Sequence, residues 1–209
     1  MRGRQWKTRI SVQESHQGRD QSGGGRRRVR VVCRRGRVIP QKRACYDLAV
    51  AVRIRDALLE DLPAVGLLAG RLVRLHHDFD PARWMLPDGI EAGYARYFAS
   101  QLGRQGVIVL VAEDEDDHEL LGYAYASLEE RNWVELRDAC GRLHDVFVIE
   151  RARRKGLATA LLRECLARLT SLGVALVVAT AAWQNEQSRS LLTALGLRPT
   201  VVEMAKNLA

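Results

Sequence analysis

Hydrophobic positions beyond residue 48 recur at spacings of two and of about 3.6 residues, the periods of strands and helices. Apolar residues alternate with polar ones over 50–55 and predict a first strand. Helical spacing over 58–75, with Pro63 in the first turns, predicts a first helix, and a second is expected over 88–102.

The rest of the hydrophobic pattern also changes between strand and helix spacing, so it predicts a mixture of further strands and helices. The order β-α-α-β-β-β-α-β-α-β predicts an α/β fold with one mixed sheet. The later elements are strands over 107–112, 120–127 and 143–149, a helix over 158–172, a strand over 175–181, a short helix ending at 195 and a final strand over 199–204.

The positive charge of the chain belongs to its N-terminal segment. Residues 1–47 hold 14 of the 33 Lys and Arg but three of the 25 Asp and Glu, so their net charge is +11 and the remainder carries −3. This composition predicts a disordered extension over 1–48 beside one domain over 49–209. Three interpretations stay open for the extension: a start assigned too far upstream, an organelle transit peptide, or a nucleic-acid-binding arm.

Several protein classes are not supported by the sequence. No run approaches the 18 or more apolar residues that a membrane-spanning helix needs. The adjacent His76, His77 and Asp78 do not predict a metal site, because chain neighbours rarely converge on one ion. Neither zinc nor disulfides are expected from four scattered cysteines, and the expected compartment is the reducing cytoplasm. The cysteines are Cys33, Cys45, Cys140 and Cys165.

The most specific chemical signal lies between the strand at 143–149 and the next helix. A buried strand that contains Val146, Phe147 and Val148 runs into a basic turn and then into a helix N-terminus. Unpaired N–H groups and the positive end of the helix dipole favour an anionic phosphate at such a place. The residues of this turn are Arg153, Arg154, Lys155, Gly156, Leu157 and Ala158.

Residues 153–158 resemble the R/Q-x-x-G-x-G/A pyrophosphate motif of the GNAT (Gcn5-related) N-acetyltransferases. The strand at 146–148 is similar to the family's central strand, whose exposed backbone pairs with pantetheine. Residues 185–197 resemble the family's N-x-x-A-x-x-x-Y-x-x-x-G-F segment, and 200–204 resemble its last strand. The chain is therefore identified as a member of the family over residues 49–207.

The resemblance implies direct transfer of an acetyl group from acetyl-CoA to a primary amine of a small molecule or protein. Backbone N–H groups near Phe147 and Val148 would polarise the thioester carbonyl. The pyrophosphate would lie on residues 153–158, and Asn185 would contact the pantetheine arm. The expected partners are acetyl-CoA and the amine acceptor, a homodimer is left open, and neither a metal nor nucleic acid is expected.

The chain departs from the family pattern at the positions of the general acid and the general base. Leu192 stands where many members have the Tyr that protonates the CoA thiolate, so Tyr123 and Tyr125 become replacement candidates. His144 and Asp145 stand where polyamine-type members carry two acids. We expect His144 to be the base, with Asp145 orienting it or attracting the amine. Because adjacent strand residues point to opposite faces, only one of the two should face the acetyl group.

Acceptor-binding residues are expected in the first helix-loop-helix and in the irregular segment 129–141. Acidic residues there, among them Glu129 and Glu135, would attract a cationic amine, although they equally suit an ordinary solvated surface. The candidates for aromatic walls of the acceptor site are His77, Trp84, Tyr125 and Trp133.

A second function class stays open beside the enzyme. The chain would then be a degenerate CoA-binding module of the same fold that associates with nucleic acid or the ribosome through its Arg-rich arm. This alternative predicts RNA binding that weakens with added salt and is lost when residues 1–47 are removed.

Overall fold

The computed structural model describes residues 51–208, so the extension predicted over 1–48 lies outside the described residues. None of the helices in this range combines the length and apolarity that a bilayer crossing requires. Over the same residues, no three metal-ligating side chains come together.

Residues 51–208 form five strands and four α-helices. The strands form one sheet in the order β1-β2-β3-β4-β5, antiparallel except for the parallel β4–β5 pair, and the expected α/β fold with a mixed sheet is confirmed. The elements are β1 (Val52–Asp56), α1 (Leu62–Phe79), α2 (Ile90–Gln101), β2 (Val107–Asp114), β3 (Leu120–Glu129), β4 (Cys140–Val148), α3 (Leu157–Ser171), β5 (Val177–Ala179) and α4 (Glu186–Ala194).

Different helices cover the two faces of the sheet, and this is why β2 and β3 are buried along most of their length. On one face α3 lies so close that a Cβ added at Gly141 would be 2.9 Å from the Leu169 side chain. On the other face, Phe98 of α2 meets the rings of Tyr123 and Tyr125. These are called the α3 face and the α1/α2 face below.

The final strand predicted over 199–204 is wrong. Residues 198–208 form no strand, and Val201, Val202 and Met204 are 87%, 64% and 86% exposed. The reason lies in β5, which has only three residues instead of the seven predicted over 175–181. A ladder of that length leaves too short an edge for another strand, although the sequence of this segment has the apolar character of one.

A buried ion network joins β1, β2 and the start of α1. Arg55 donates to Glu113 at 2.5 Å and to the two oxygens of Asp61 at 2.6 and 2.9 Å. The side chains of both acids are only 8% exposed. Arg53 and His118 also bond to Glu113. The hydrogen bond from Arg55 lowers the pKa of Glu113 to about 2.

This network predicts a specific loss of stability. Glu113→Gln should lower the free energy of unfolding at pH 7 by about 3 kcal/mol, because Arg55 keeps its charge and loses a partner. The folded pKa of about 2 lies below the ordinary 4.5, so the wild type should lose this contribution as pH falls from 4.5 towards 2. Urea unfolding at several pH values measures both effects.

The matched control is Glu119→Gln, which removes the partner of Arg151 at the surface. We expect that change to lower the free energy of unfolding by less than about 1 kcal/mol. Equal losses for the two variants would contradict a structural role for the network.

Candidate active site

One extra residue in β4 sets the geometry of the candidate site. Across the β3–β4 ladder, Tyr125 pairs with Asp145 and Ala126 pairs with Leu143, which leaves His144 without a partner. This arrangement is a β-bulge, in which two consecutive residues oppose one residue of the neighbouring strand. The bulge interrupts the alternation of side chains, so His144 and Asp145 both reach the α1/α2 face. The expectation that they point to opposite faces is wrong.

His144 lies against two residues of β3. Its Nε2 is 2.8 Å from Oγ of Ser127, and its ring stacks on Tyr125 with the centroids 4.4 Å apart. Burial lowers the pKa of His144 below its ordinary 6.5, with Glu129 opposing and Arg142 adding to that shift. The imidazole is therefore neutral at pH 7, the form in which it accepts a proton.

Asp145 bonds to a different partner. The Tyr123 hydroxyl donates to its Oδ2 at 3.1 Å, and no hydrogen bond joins Asp145 to His144 among residues 51–208. Burial raises the pKa of Asp145 to about 6. The carboxylate is thus mostly ionised at pH 7 and does not orient the imidazole, so attraction of a cationic amine is its remaining predicted role.

Tyr123 and Tyr125, the candidates for protonating the CoA thiolate, are poorly suited to that role. Burial raises the pKa of Tyr123 and of Tyr125 above the ordinary 10. A CoA thiol has a pKa near that of free Cys, about 8.5, so neither phenol is acidic enough to protonate the thiolate readily. Leu192, on α4, packs against the core and carries no proton to give.

The two parallel strands separate at the bulge. β4 and β5 pair only at Gly141–Val177, Arg142–Val178 and Leu143–Ala179, so the outer edge of β4 has no partner strand over 144–148. A strand edge without a partner presents free N–H and C=O groups to an extended ligand.

The hydrogen bonds of β4 show which groups face this open edge. The Ile149 N–H donates to Leu121 of β3, and successive N–H groups along a strand point to opposite edges. Those of Val146 and Val148 therefore point to the open edge, whereas that of Phe147 points to β3. Of the two N–H groups expected to polarise a carbonyl, that of Val148 faces the open edge and that of Phe147 does not. The Val146 N–H is the second group at this edge.

The turn into α3 presents a row of unpaired N–H groups. Gly156 is the N-cap of α3 at φ +81°, and Arg154 is also left-handed at φ +63°. Within residues 51–208, no N–H group from Arg154 to Thr159 donates a hydrogen bond. A Cβ added at Gly156 would meet no atom within 4 Å, so the space in front of the turn is open. These features fit a diphosphate.

Arg153 does not contribute to this turn as expected. Its Nε donates to the carbonyl oxygen of Val148 at 2.9 Å, and its guanidinium lies 5.5 Å from the centroid of the Phe147 ring. The side chain therefore lies along the open edge of β4. The charge next to the turn is left to Arg154 and Lys155.

The start of α4 contains the predicted site residue Asn185 and a second residue, Arg189, that the sequence analysis did not identify. The Asn185 side chain accepts a hydrogen bond from the Ser188 N–H at 3.0 Å and caps α4, so its oxygen is already engaged. One turn later, Nε of Arg189 is buried without a hydrogen-bond partner in the described part of the chain. Its guanidinium lies 4.8 Å from the centroid of the exposed Trp183 ring.

The four predicted acceptor-binding residues do not form one cluster. His77, near the end of α1, contacts Trp84, with its Nδ1 2.8 Å from the Trp84 carbonyl oxygen. Trp133 is 74% exposed in the β3–β4 loop and lies beneath Arg131. Only Tyr125 contacts His144 directly.

Two acids of the β3–β4 hairpin are paired with arginines. Arg137 bonds to Glu129 at 2.5 Å and to Glu135 at 3.0 Å, and Arg142 lies 3.3 Å from Glu129. These pairs reduce the negative charge that Glu129 and Glu135 could offer to a cationic amine. Asp145 forms no salt bridge within residues 51–208.

Two further residues of the site were missed. Ser127 contacts His144, and the Tyr97 hydroxyl on α2 lies 2.9 Å from that of Tyr125. Tyr123, Tyr125 and Ser127 recur at a spacing of two in an otherwise apolar strand, which is a signal for Ser127 in the sequence. Nothing comparable marks Tyr97.

Residues 71–197 match the model of the Acetyltransferase (GNAT) family. No curated protein matches the chain. Among solved structures, a mutant of the BH1408 protein from Bacillus halodurans is similar at 17% identity and a TM-score of 0.65, over 75% of this chain and 99% of that one.

Two N-acetyltransferases are also similar in fold. The aminoglycoside antibiotic 6'-N-acetyltransferase AAC(6')-Ih from Acinetobacter baumannii matches at 20% identity and a TM-score of 0.56, over 76% of this chain and 100% of that one. The glucosamine-6-phosphate N-acetyltransferase from Arabidopsis thaliana matches at 17% identity and a TM-score of 0.56, over 76% and 99%. At these identities the likeness shows the fold alone.

The raised pKa of Asp145 predicts that this residue destabilises the folded protein. A folded pKa of about 6 against an ordinary 3.8 means that stability falls as pH rises from about 4 to 6. Asp145→Asn should remove that fall and raise the free energy of unfolding at pH 7 by about 2 kcal/mol, allowing for partial exposure.

Urea unfolding between pH 4 and pH 7 measures this difference. The control is Asp78→Asn on the exposed surface of α1, which should change stability by less than about 0.5 kcal/mol. A variant at Asp145 that is less stable than the wild type at pH 7 would show that the carboxylate is structural.

Proposed function

The chain belongs to the GNAT acetyltransferase family, and we propose that it moves an acetyl group from acetyl-CoA to a primary amine of a small molecule or protein. One observation carries the proposal. The bulge at His144 brings a neutral imidazole and an ionised carboxylate to the place where β4 loses its partner strand. A donor-binding edge and two proton-handling groups therefore meet at one point of the sheet.

The donor fits the residues around this point. Its pyrophosphate is proposed to bind the free N–H groups of residues 154–159, with charge from Arg154 and Lys155. The pantetheine arm would extend along the open edge of β4, where Val146 and Val148 offer their backbone groups. Acetyl-CoA supplies the activated acetyl group, and the amine is the only nucleophile required.

The acceptor side carries the groups that the chemistry needs. An amine arrives as an ammonium ion and must lose a proton before it attacks the thioester. The Asp145 carboxylate attracts the cation, and the neutral imidazole of His144 accepts the proton. The N–H groups of the open edge stabilise the negative charge that develops on the carbonyl oxygen. The thiolate takes its proton from water, because no acidic side chain is matched to it.

Gly156→Glu tests the donor site. A carboxylate at the N-terminus of α3 would repel the pyrophosphate and fill its space, so affinity for CoA should fall at least about tenfold. Titration calorimetry with CoA measures the change.

Gly173→Glu is the matched control for backbone strain. Gly173 follows the other end of α3, has the same φ of +81° and also has open space around its Cβ position. This variant should keep wild-type affinity for CoA. An equal loss of CoA affinity in both variants would show that backbone strain causes the effect. Unchanged CoA affinity in Gly156→Glu would contradict a phosphate site at this turn.

His144→Asn tests the reaction. With acetyl-CoA and a panel of amines, the wild type should release CoA and form acetylated product, and the variant should lose about 10²-fold in kcat with unchanged affinity for acetyl-CoA. Wild-type kcat/KM should fall below about pH 6, where Asp145 becomes protonated. Protonation of His144, whose pKa is lowered by burial, should add to the fall at lower pH.

The control is His118→Asn in the β2–β3 turn, whose side chain is 77% exposed and lies outside the candidate site. It should retain wild-type kcat. An absence of acetylated product with every class of amine, in protein that binds acetyl-CoA, would count against an amine acetyltransferase. Wild-type kinetics for His144→Asn would remove His144 as the base.

A further inference from the structure

Resting on the proposed function, we propose that the amine acceptor is a small monoamine, with one ammonium group joined by a short linker to a flat apolar body, as in an arylalkylamine. The ammonium group binds at Asp145, and the apolar body lies against the rings of Tyr94 and Tyr97 on α2. These two tyrosines are then specificity-determining residues, and an amine with a second positive charge is a poor acceptor.

Asp145 has one carboxylate oxygen that remains free for a ligand. Its Oδ2 accepts a hydrogen bond from the Tyr123 hydroxyl at 3.1 Å, and its Oδ1 has no hydrogen-bond partner within residues 51–208. In that range, Nε of Arg189 is the one fully buried side-chain nitrogen or oxygen without a partner, so Oδ1 is accessible. A half-buried carboxylate of this kind lacks a cation, and an ammonium group supplies one.

Tyr94 lies beside this carboxylate. Its ring centroid is 5.8 Å from that of Phe98, and Phe98 also meets the ring of Tyr123, whose hydroxyl bonds to Asp145. Burial and the charge of Asp145 raise the pKa of Tyr94 to about 12, which agrees with this proximity. The Tyr94 hydroxyl has no hydrogen-bond partner in the described part of the chain and is not fully buried, so the tyrosine borders open space.

Tyr97 lies one turn further along α2, on the same side of the helix. Its ring centroid is 5.5 Å from that of Phe98 and 6.0 Å from that of Tyr125, and Tyr125 stacks on His144. Tyr97 is 44% exposed, whereas Phe98 is fully buried. The helix therefore presents one accessible ring near the carboxylate and another near the base. Aromatic faces of this kind suit a flat apolar group and an adjoining ammonium ion.

The charges around His144 leave no free anion for a second ammonium group. Glu129 is the acid whose charge acts on the pKa of His144, and Arg142 acts on it in the opposite direction. Glu129 is itself held by Arg137 at 2.5 Å and by Arg142 at 3.3 Å. The next acid, Glu130, is exposed and lies beyond the end of β3. A second positive charge on the acceptor would have to compete with two arginines for its partner.

The reaction of a monoamine balances with the groups of this site. The ammonium ion gives one proton to His144, the nitrogen forms the new C–N bond, and the C–S bond of the thioester breaks. The nitrogen loses a second proton on becoming the amide, and the thiolate takes one from water. His144 returns its proton to water, so each turnover releases one proton. The amide product is neutral and no longer pairs with the carboxylate.

Pentylamine and butane-1,4-diamine test the charge requirement with the full wild-type chain. The two amines have similar lengths and differ at one end, where the diamine has a second ammonium group instead of a methyl group. The kcat/KM for pentylamine should exceed that for the diamine by at least about tenfold, because the second charge is left without a partner. Release of CoA measures the rate, and mass spectrometry identifies the acetylated product.

2-Phenylethylamine and ethylamine test the aromatic wall. The kcat/KM for the aryl amine should be higher by at least about tenfold, because its ring is removed from water against Tyr94 and Tyr97. Tyr94→Ala should raise the KM for 2-phenylethylamine about tenfold but change kcat/KM for ethylamine by less than about twofold. Affinity for acetyl-CoA should stay at the wild-type value.

Two further variants serve as controls and as a second test of charge. Leu172→Ala truncates a side chain that is 47% exposed beyond the end of α3, on the opposite face of the sheet, and should not change the preference for the aryl amine. Arg142→Gln removes one competitor for Glu129, so the preference for pentylamine over the diamine should fall. Arg131→Gln, in the same hairpin but paired with Asp138, should leave that preference unchanged.

The outcomes separate this inference from the function on which it rests. Acetylation of the diamine, or of a polycationic aminoglycoside, with a kcat/KM equal to or above that of pentylamine would overturn the monoamine assignment and leave the acetyltransferase in place. Equal losses for both amines in Tyr94→Ala would show that Tyr94 is structural and overturn the aromatic wall. Protein that binds acetyl-CoA but acetylates no amine would refute the proposed function itself.

Discussion

The extra residue in β4 is the constraint on which the candidate site depends. Regular alternation would direct one of the two neighbours, His144 or Asp145, to the α3 face. The bulge instead brings both side chains to the α1/α2 face, and pairing with β5 ends at Leu143, the residue before His144. In the proposed reaction, this one irregularity places the two groups that would handle the acceptor's protons beside the edge that would bind the donor.

Packing between α2 and β3 holds these groups in position. Phe98 is fully buried, and its ring contacts those of Tyr97, Tyr123 and Tyr125. Tyr125 also stacks on His144. Each tyrosine therefore has an apolar body fixed by the core and a hydroxyl directed to a polar partner. The same aromatic cluster stabilises the fold and positions the hydroxyls of these tyrosines.

The sequence predicts what is local and misses what depends on two strands. The basic turn before α3 was recognisable because Gly156, its charged neighbours and the helix behind them are contiguous. The bulge was not, since it exists only as the register of β4 against β3. Arg153 and Asn185, which are expected to contact the donor, each also bond to backbone groups nearby, and the sequence did not indicate these bonds. The prediction of a final strand over 199–204 was wrong because the neighbouring strand β5 is too short to pair with it. The segment itself has the apolar pattern of a strand.

Separation of His144 from Asp145 has a chemical consequence. A carboxylate bonded to the imidazole would raise the pKa of His144 and favour imidazolium at neutral pH, which cannot accept a proton. In the structure the carboxylate bonds to Tyr123, and burial, with a smaller contribution from Arg142, holds the pKa of His144 down. At pH 7 the two neighbours therefore differ in charge. In the proposed reaction the anion suits attraction of an ammonium ion, and the neutral ring suits removal of its proton. The bulge thus gives two adjacent residues the properties that two different tasks would need.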